Sequence, residues 1–312
     1  MNYLAITVIA YFLVAIEVIL DKFLLTSKRV SHPAIYAFYS GVLTIFVLFM
    51  IPFGFHGVGL VQALASIMTG IIFTYGILAL FFAINKSEAS RVMPVVGAVI
   101  PIVTFALSLF FLAERLRPIQ IMGVAALIVG GLLISFDLPL KIKNKNKFFR
   151  GFYFSILAGA LLAVEAILFK YLCGKDNFIN IFIWTRIGVT VGSLSLLLFG
   201  DWRKAILGSF SSFNKSQGEH SKTGGLFIAT KILGGVGSIL TKKAISMGSA
   251  TVVSALVSVE YVFILLIGVG LSFKFSRIFQ EKESVLDIAQ KIVSIIIISA
   301  GVVLISIKHK IL

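Results

Sequence analysis

Two glutamates occupy the same place in two similar apolar stretches. Residues 11–25 read YFLVAIEVILDKFLL and residues 159–173 read GALLAVEAILFKYLC. Seven of the fifteen aligned positions are identical, and the identities pair Glu17 with Glu165 and Lys22 with Lys170. Apolar composition alone rarely repeats two charged residues in register. A carboxyl group among apolar side chains is costly as an anion. If it gains and loses a proton at neutral pH, it can exchange that proton for a solute. This is the chemistry that Glu17 and Glu165 offer; the bland alternative is a structural ion pair between helices. Lys22 and Lys170 follow their glutamates by five residues, which turns them by ~140° and lifts them by ~7.5 Å on a helix. That takes them off the glutamate's face and towards the helix end, where a lysine can snorkel to the interface. Asp21 does share the Glu17 face, one turn on. Its mate in the second stretch is Phe169, so an acidic pair exists only in the first copy.

Arg186, in Ile183-Trp184-Thr185-Arg186, has no charged mate; the aligned residue is Ser40. A guanidinium in apolar surroundings needs a carboxylate or a substrate anion. Trp184 beside it offers a stacking face for a ligand, or an interfacial anchor. Lys231 and Glu260 stand in two further apolar runs and can neutralise each other or one of the first-helix groups. Glu17, Glu165 and Glu260 nearly balance Lys231 and Arg186, which favours pairing inside a bundle. There is no GxxxxGK[ST] loop, and no HExxH, CxxC or GxSxG. No nucleophile–base cluster is visible, so an enzyme is not expected, and no cofactor or metal is implied. Cys173 is the single cysteine and excludes an internal disulfide.

The elements that carry these residues must be membrane helices. Of 312 residues, 59% are hydrophobic and 13% charged, with a mean hydropathy of +1.05. A soluble domain is about half apolar and about a quarter charged. So few charges cannot cover a water-facing surface, and they exclude disorder as well. The long continuous apolar runs are helical spans, not the ~10-residue alternating segments of a transmembrane barrel. The N-terminus lacks a basic n-region, so the first run reads as a retained span. The net charge of +15 sits mostly in connecting segments, where it meets lipid headgroups rather than nucleic acid.

Ten spans are expected, at about 3–25, 33–51, 60–84, 91–113, 118–136, 149–172, 178–199, 225–245, 251–273 and 286–307. Pro33, Pro52, Pro118 and Pro139 fall near span ends, where a missing N–H costs least. Pro94 and Pro101 fall inside the fourth span, which should be kinked or irregular. Weaker echoes extend the repeat: Ala83-Ile84 matches Ala244-Ile245, and Gly130-x-x-Leu133-Ile134-Ser135 matches Gly301-x-x-Leu304-Ile305-Ser306. The expected fold is therefore an all-α integral membrane protein of about ten helices in two five-helix repeats. The first repeat is residues 1–140, the basic linker is 141–150, and the second repeat is 151–312. Five is odd, so the second repeat enters the membrane in the opposite sense. Inverted repeats commonly serve alternating access around a midplane site.

This organisation resembles the drug/metabolite transporter superfamily, and within it the EamA-type transporters. The resemblance rests on Ala89-Ser90 through Pro101, the turn Ala113-Glu114-Arg115-Leu116, the glycines Gly123 to Gly130, and Arg186 in the second span of its half. The first half departs from it at Ser40, and the second half lacks a proline at Tyr261. Ala15-Ile16-Glu17-Val18-Ile19 is also similar to the first span of the small multidrug resistance transporters, where one membrane glutamate binds proton or cation in turn. The resemblance implies a secondary transporter of a small organic metabolite or drug-like solute, coupled to protons or exchange, in the cell (inner) membrane as a monomer or homodimer. Glu17 and Glu165 are then the coupling pair, with Arg186, Lys231 and Glu260 for binding or gating. The rivals are a flippase for a lipid-linked sugar or phospholipid, and a non-transporting scaffold. Family members keep both termini in the cytoplasm. The loops after the odd-numbered spans hold about sixteen Lys and Arg against about seven elsewhere outside the spans, which puts both termini outside.

Overall fold

The computed structural model describes residues 2–25, 33–86, 89–135, 145–213, 220–272 and 285–307. No strand occurs among them. Every long helix comes from an apolar run that must satisfy its backbone internally in lipid. The helices are α1 (Tyr3–Leu25), α2 (Pro33–Leu43), α3 (Leu60–Lys86), α4 (Ala89–Phe111), α5 (Pro118–Ser135), α6 (Lys145–Cys173), α7 (Phe178–Ser195), α8 (Gly200–Phe213), α9 (His220–Met247), α10 (Ala250–Ala255), α11 (Val257–Ser272) and α12 (Val285–Ser306). Among the described residues, nine stretches are long and apolar enough to cross a membrane, with α10 and α11 together forming one of them. The chain is a multi-pass membrane protein.

Several boundaries differ from the sequence reading for local reasons. α2 tightens into a 3-10 segment over Thr44–Phe53 that contains Pro52 and ends at Gly54, whose φ of 132° suits only glycine. α4 runs as a helix through Pro94 and Pro101 without interruption. α6 begins at Lys145, so part of the expected linker is helical. α8 was expected to be loop. It is an amphipathic helix packed on α2, with Ile206 buried and Tyr39 Oη 3.1 Å from Ser209 Oγ. The ninth span is divided at Leu256, and Ser258 turns its hydroxyl onto the Leu127 and Ala255 carbonyls.

Contacts fix which helix ends share a membrane face. Glu114 after α4, Lys170 near the end of α6 and Ser249 before α10 meet one another. Gly54 after α2 accepts a hydrogen bond from Asn177 before α7, and Gln62 in α3 reaches Asp176. Gly123 near the start of α5 lies on Gly301 and Ile305 near the end of α12. We call this side face A. Both ends of the described chain, Tyr3 and Ser306, lie at it. The helices alternate, so α2, α4, α6, α9 and α12 start at the opposite side, face B.

The packing follows small residues. α3 crosses α7 where Gly70 lies on Thr185 and Val189, and Gly188 lies on the Ile67 backbone. α1 packs along α9 and α11, α6 packs along α3 and α4, α5 packs on α12, and α2 on α7. Phe169, Ile181, Phe182 and Val253 centre one apolar core. Phe46, Phe49, Phe53, Val61, Phe110 and Leu198 are exposed, an outer surface suited to lipid rather than water.

Candidate functional site

α9 carries three lysines, Lys231, Lys242 and Lys243. Lys231 and Lys242 are eleven residues apart, close to three turns and ~16 Å of rise, so they share one face. That face meets both glutamates of the repeat. Lys231 Nζ donates to Glu17 Oε1 at 3.1 Å and to Tyr36 Oη at 3.3 Å. Lys242 Nζ donates to Glu165 Oε2. Gly234 makes the first pair possible, since a Cβ there would overlap the Glu17 carboxylate. Repeating Ala83-Ile84 onto Ala244-Ile245 aligns Lys231 with Gly70 and Lys242 with Phe81. α3 therefore has no equivalent lysines, and α9 alone supplies both countercharges.

The two pairs differ in access. The Lys242 and Glu165 side chains are 10% and 6% exposed, against 22% and 20% for Lys231 and Glu17. Aromatic rings surround both. Lys242 lies 5.2 Å from the Phe169 ring centre and 5.9 Å from that of Phe73. Tyr36 packs on Phe81 beside Lys231.

Between the pairs, Arg186 of α7 is buried. Its Nη2 donates to Ser238 Oγ of α9 at 2.6 Å. The guanidinium lies 4.8 Å from the Phe182 ring centre and 5.4 Å from that of Phe73, close enough for a cation–π attraction. Its carboxylate neighbour is Glu165, without a direct ion pair. Glu260, in the first turn of α11, is buried at 5% exposure. Its charged neighbour is Glu17, and no described group donates a hydrogen bond to it. Lys231 therefore pairs with Glu17, while Glu260 is left beside them.

A second polar group closes face A. Lys170 pairs with Glu114 and also donates to the Gly248 carbonyl, so it is tied down rather than snorkelling. Ser249 Oγ donates to Glu114 Oε2 at 3.1 Å. Nearby, Asp176 accepts from Gln62 Nε2 at 3.2 Å and from Asn180 Nδ2 at 2.7 Å, and lies 3.1 Å from His56 Nε2. Desolvation pushes the Asp176 carboxyl up. The hydrogen bonds from Asn180 and the Asn177 backbone, with His56, outweigh it and hold the group below the usual carboxylate value. Trp184 donates from Nε1 to the His56 carbonyl at 3.4 Å and packs on Phe55, an interfacial position. The structure thus gathers Glu17, Glu165, Arg186, Lys231 and Glu260 around α9 and sets Lys170 and Trp184 apart at face A. The side chains of Asp21 and Lys22 lie outside the described residues. The sequence reading gave no role to Lys242, which lies inside the expected span 225–245; its three-turn spacing from Lys231 was the available signal. Ser238, Tyr36, His56 and Asp176 carried no such signal.

These features define an all-helical membrane protein with a row of opposite charges in its interior. Residues 1–136, less than half of the chain, match the model of the EamA-like transporter family. Over 70 residues it is 36% identical to the uncharacterized protein MJ1333.1 of Methanocaldococcus jannaschii, covering 22% of this chain and 50% of that protein. The chain thus spans half the length of the curated relative it matches. A solved crystal structure of a protein aligns with 97% of this chain and 98% of its own, at a TM-score of 0.67 and 14% identity. At that identity it supports the fold alone.

Proposed function

We propose that the chain is a secondary active transporter in the cell (inner) membrane that carries a small organic metabolite by alternating access, coupled to protons or by exchange. The observation that carries this reading is the ladder on α9. Glu17 and Glu165, which correspond by the repeat, are each neutralised by a lysine of the same helix. Charges at such depth are costly unless used or paired. The Glu17–Lys231 pair joins α1 of the first half to α9 of the second and can be broken and remade as the halves rock, while Glu165–Lys242 holds α6 to α9 within the second half.

The reading includes two inverted halves, 1–140 and 151–312. It is supported by reciprocal packing: α1 lies along α9 and α11 as α6 lies along α3 and α4. At face A, Glu114–Lys170–Ser249 and the Asp176 cluster join the two halves. The Glu17–Lys231 pair, more exposed than Glu165–Lys242, is the one a solute would meet first. Breaking the pair without replacement leaves a buried charge, so solute or proton must take over the released partner.

The test is efflux from vesicles. Purified protein is reconstituted, the vesicles are loaded with a mixture of small metabolites, and a pH gradient is imposed in either direction. Wild-type protein is expected to release at least one solute class faster than protein-free vesicles do, and Lys231→Met to release none. Retention of every class by the wild type under both gradients would overturn the reading.

A further inference from the structure

Two connections of face A meet through one histidine. His56 stands between the 3-10 segment and α3, and Asp176, Asn177 and Asn180 stand where α6 passes into α7. Both ring nitrogens of His56 face oxygen. Nδ1 lies 3.3 Å from the Gly54 carbonyl, and Nε2 lies 3.1 Å from Asp176 Oδ2. A carbonyl and a carboxylate can only accept, and a neutral imidazole carries a single N–H. Either neutral tautomer therefore sets a lone pair against an oxygen. The protonated ring donates from both nitrogens, and its bond to Asp176 is charge-assisted. Asn180 Nδ2 is also 3.2 Å from Nε2, but its amide is oriented by other bonds. Its Oδ1 accepts from the His56 backbone N–H at 3.2 Å, and its Nδ2 donates to Asp176 Oδ2 at 2.7 Å. Asn177 Nδ2 donates to the Gly54 carbonyl at 3.2 Å. Fixed bonds thus align the two connections around one bond that a proton can switch.

We propose that these connections form a proton-operated latch across face A, engaged when the His56 ring is protonated and loosened when it is neutral. The inference goes beyond the transporter reading and does not depend on it. Protons reach the ring from solvent, since the His56 side chain is 52% exposed against 13% for Asp176. Desolvation raises the Asp176 carboxyl, but the bonds from Asn180 and the Asn177 backbone, with the His56 charge, outweigh it. Asp176 therefore keeps its charge down to below about pH 4. Histidines as a class change charge between about pH 5 and 8. The latch is held in mildly acid solution and released as the pH rises through the histidine range. Further charged and titratable groups stand around the cluster. Lys175 Nζ lies over the Tyr171 ring at 4.4 Å, Lys243 Nζ of α9 lies over the Phe178 ring at 4.9 Å, and Lys170 is held by Glu114. Cys173 of α6 has both Asp176 and Lys243 among its electrostatic neighbours. α3 and α7 bring the uncharged Gln62, Asn180 and Trp184. The charge that acts on Asp176 is that of His56.

The test is hydrogen–deuterium exchange of purified full-length protein in detergent, at about pH 5.5 and about pH 8, either side of the histidine range. Wild type and His56→Gln are compared at each pH, so that the pH dependence of chemical exchange cancels. In acid, residues 54–62 and 174–184 should exchange about two- to fivefold faster in the variant, the range that an exposed ion pair supports. At the alkaline pH the two proteins should exchange alike. In an Asp176→Asn background, His56→Gln should no longer change exchange in acid. If Asp176→Asn fails to fold, the first comparison decides alone. Equal exchange of wild type and variant in acid overturns the proposal. So does an equal acceleration at both pH values, which marks a fixed structural contact, and so does an acceleration confined to one of the two connections.

Discussion

Lys242 and Glu165 form the deepest of the described ion pairs, with side chains 10% and 6% exposed. Taking two charges out of water is repaid only if each has the other. A double-mutant cycle measures that dependence. Glu165→Gln and Lys242→Met should show an interaction energy of about 1–3 kcal/mol in unfolding experiments in detergent. Glu17→Gln combined with Lys242→Met should be additive to within about 0.5 kcal/mol, since those groups belong to different rungs of α9. Coupling of equal size in both cycles would mean that the row acts as one network rather than two pairs. The glutamates of these pairs were legible before the fold was known, because a charge repeated in register inside apolar runs stands out. Lys242 was not, because a lysine near a span end reads as a snorkelling or loop residue. Burial beside Phe169 depends on which helix faces it, and one sequence does not state that.

Elements place these residues through close crossings. Where α3 meets α7, a Cβ at Gly188 would overlap the Ile67 backbone, and backbone cannot swing aside as a side chain can. Gly188→Ala should therefore lower stability by about 1–3 kcal/mol. Gly235 on α9 faces open space, so Gly235→Ala should be neutral or stabilising by up to ~1 kcal/mol. Thermal unfolding of the two variants side by side checks both. Equal destabilisation would show that the loss comes from helix chemistry and not from the crossing. Most spans could be read from apolar runs and bounding prolines. The elements that could not be read were those where hydropathy is a poor guide. α8 is amphipathic and short, with its apolar side on α2. The division at Leu256 accompanies the Ser258 bond to the Leu127 carbonyl of α5, a tertiary contact with no local signature.

For the molecule as a whole, the pairing of helix ends puts Tyr3 and Ser306 on face A together with the connections that carry few basic residues. Lys242 lies within α9 and is buried against Glu165, so it is no loop charge. From the excess of basic residues in the face-B connections, the positive-inside rule leads us to propose that face B is cytoplasmic. A C-terminal alkaline phosphatase fusion should be active, and a C-terminal green fluorescent protein fusion dark. The opposite result would show that the chain takes the orientation that the EamA resemblance implies, against its own loop charges. The proposed inverted arrangement rests on an odd helix count per repeat. The placing of both countercharges on α9 was not legible, because a repeat search reports what recurs and not what one copy adds.

The lysines of α9 also bear on how the chain enters the membrane. A lysine near the centre of a span raises the free energy of insertion by about 2.5–3.5 kcal/mol, and α9 carries Lys231 as well as Lys242. On its own, this helix is a poor substrate for the insertion machinery. Glu17 and Glu165 precede it in the chain, so both acidic partners are already made when α9 emerges. The order of synthesis thus supplies Glu17 and Glu165 before the lysines that pair with them, so α9 can leave the translocon onto acids already in place. A second half made alone would present Glu165 to Lys242 but nothing to Lys231, so biogenesis of that half depends on the first.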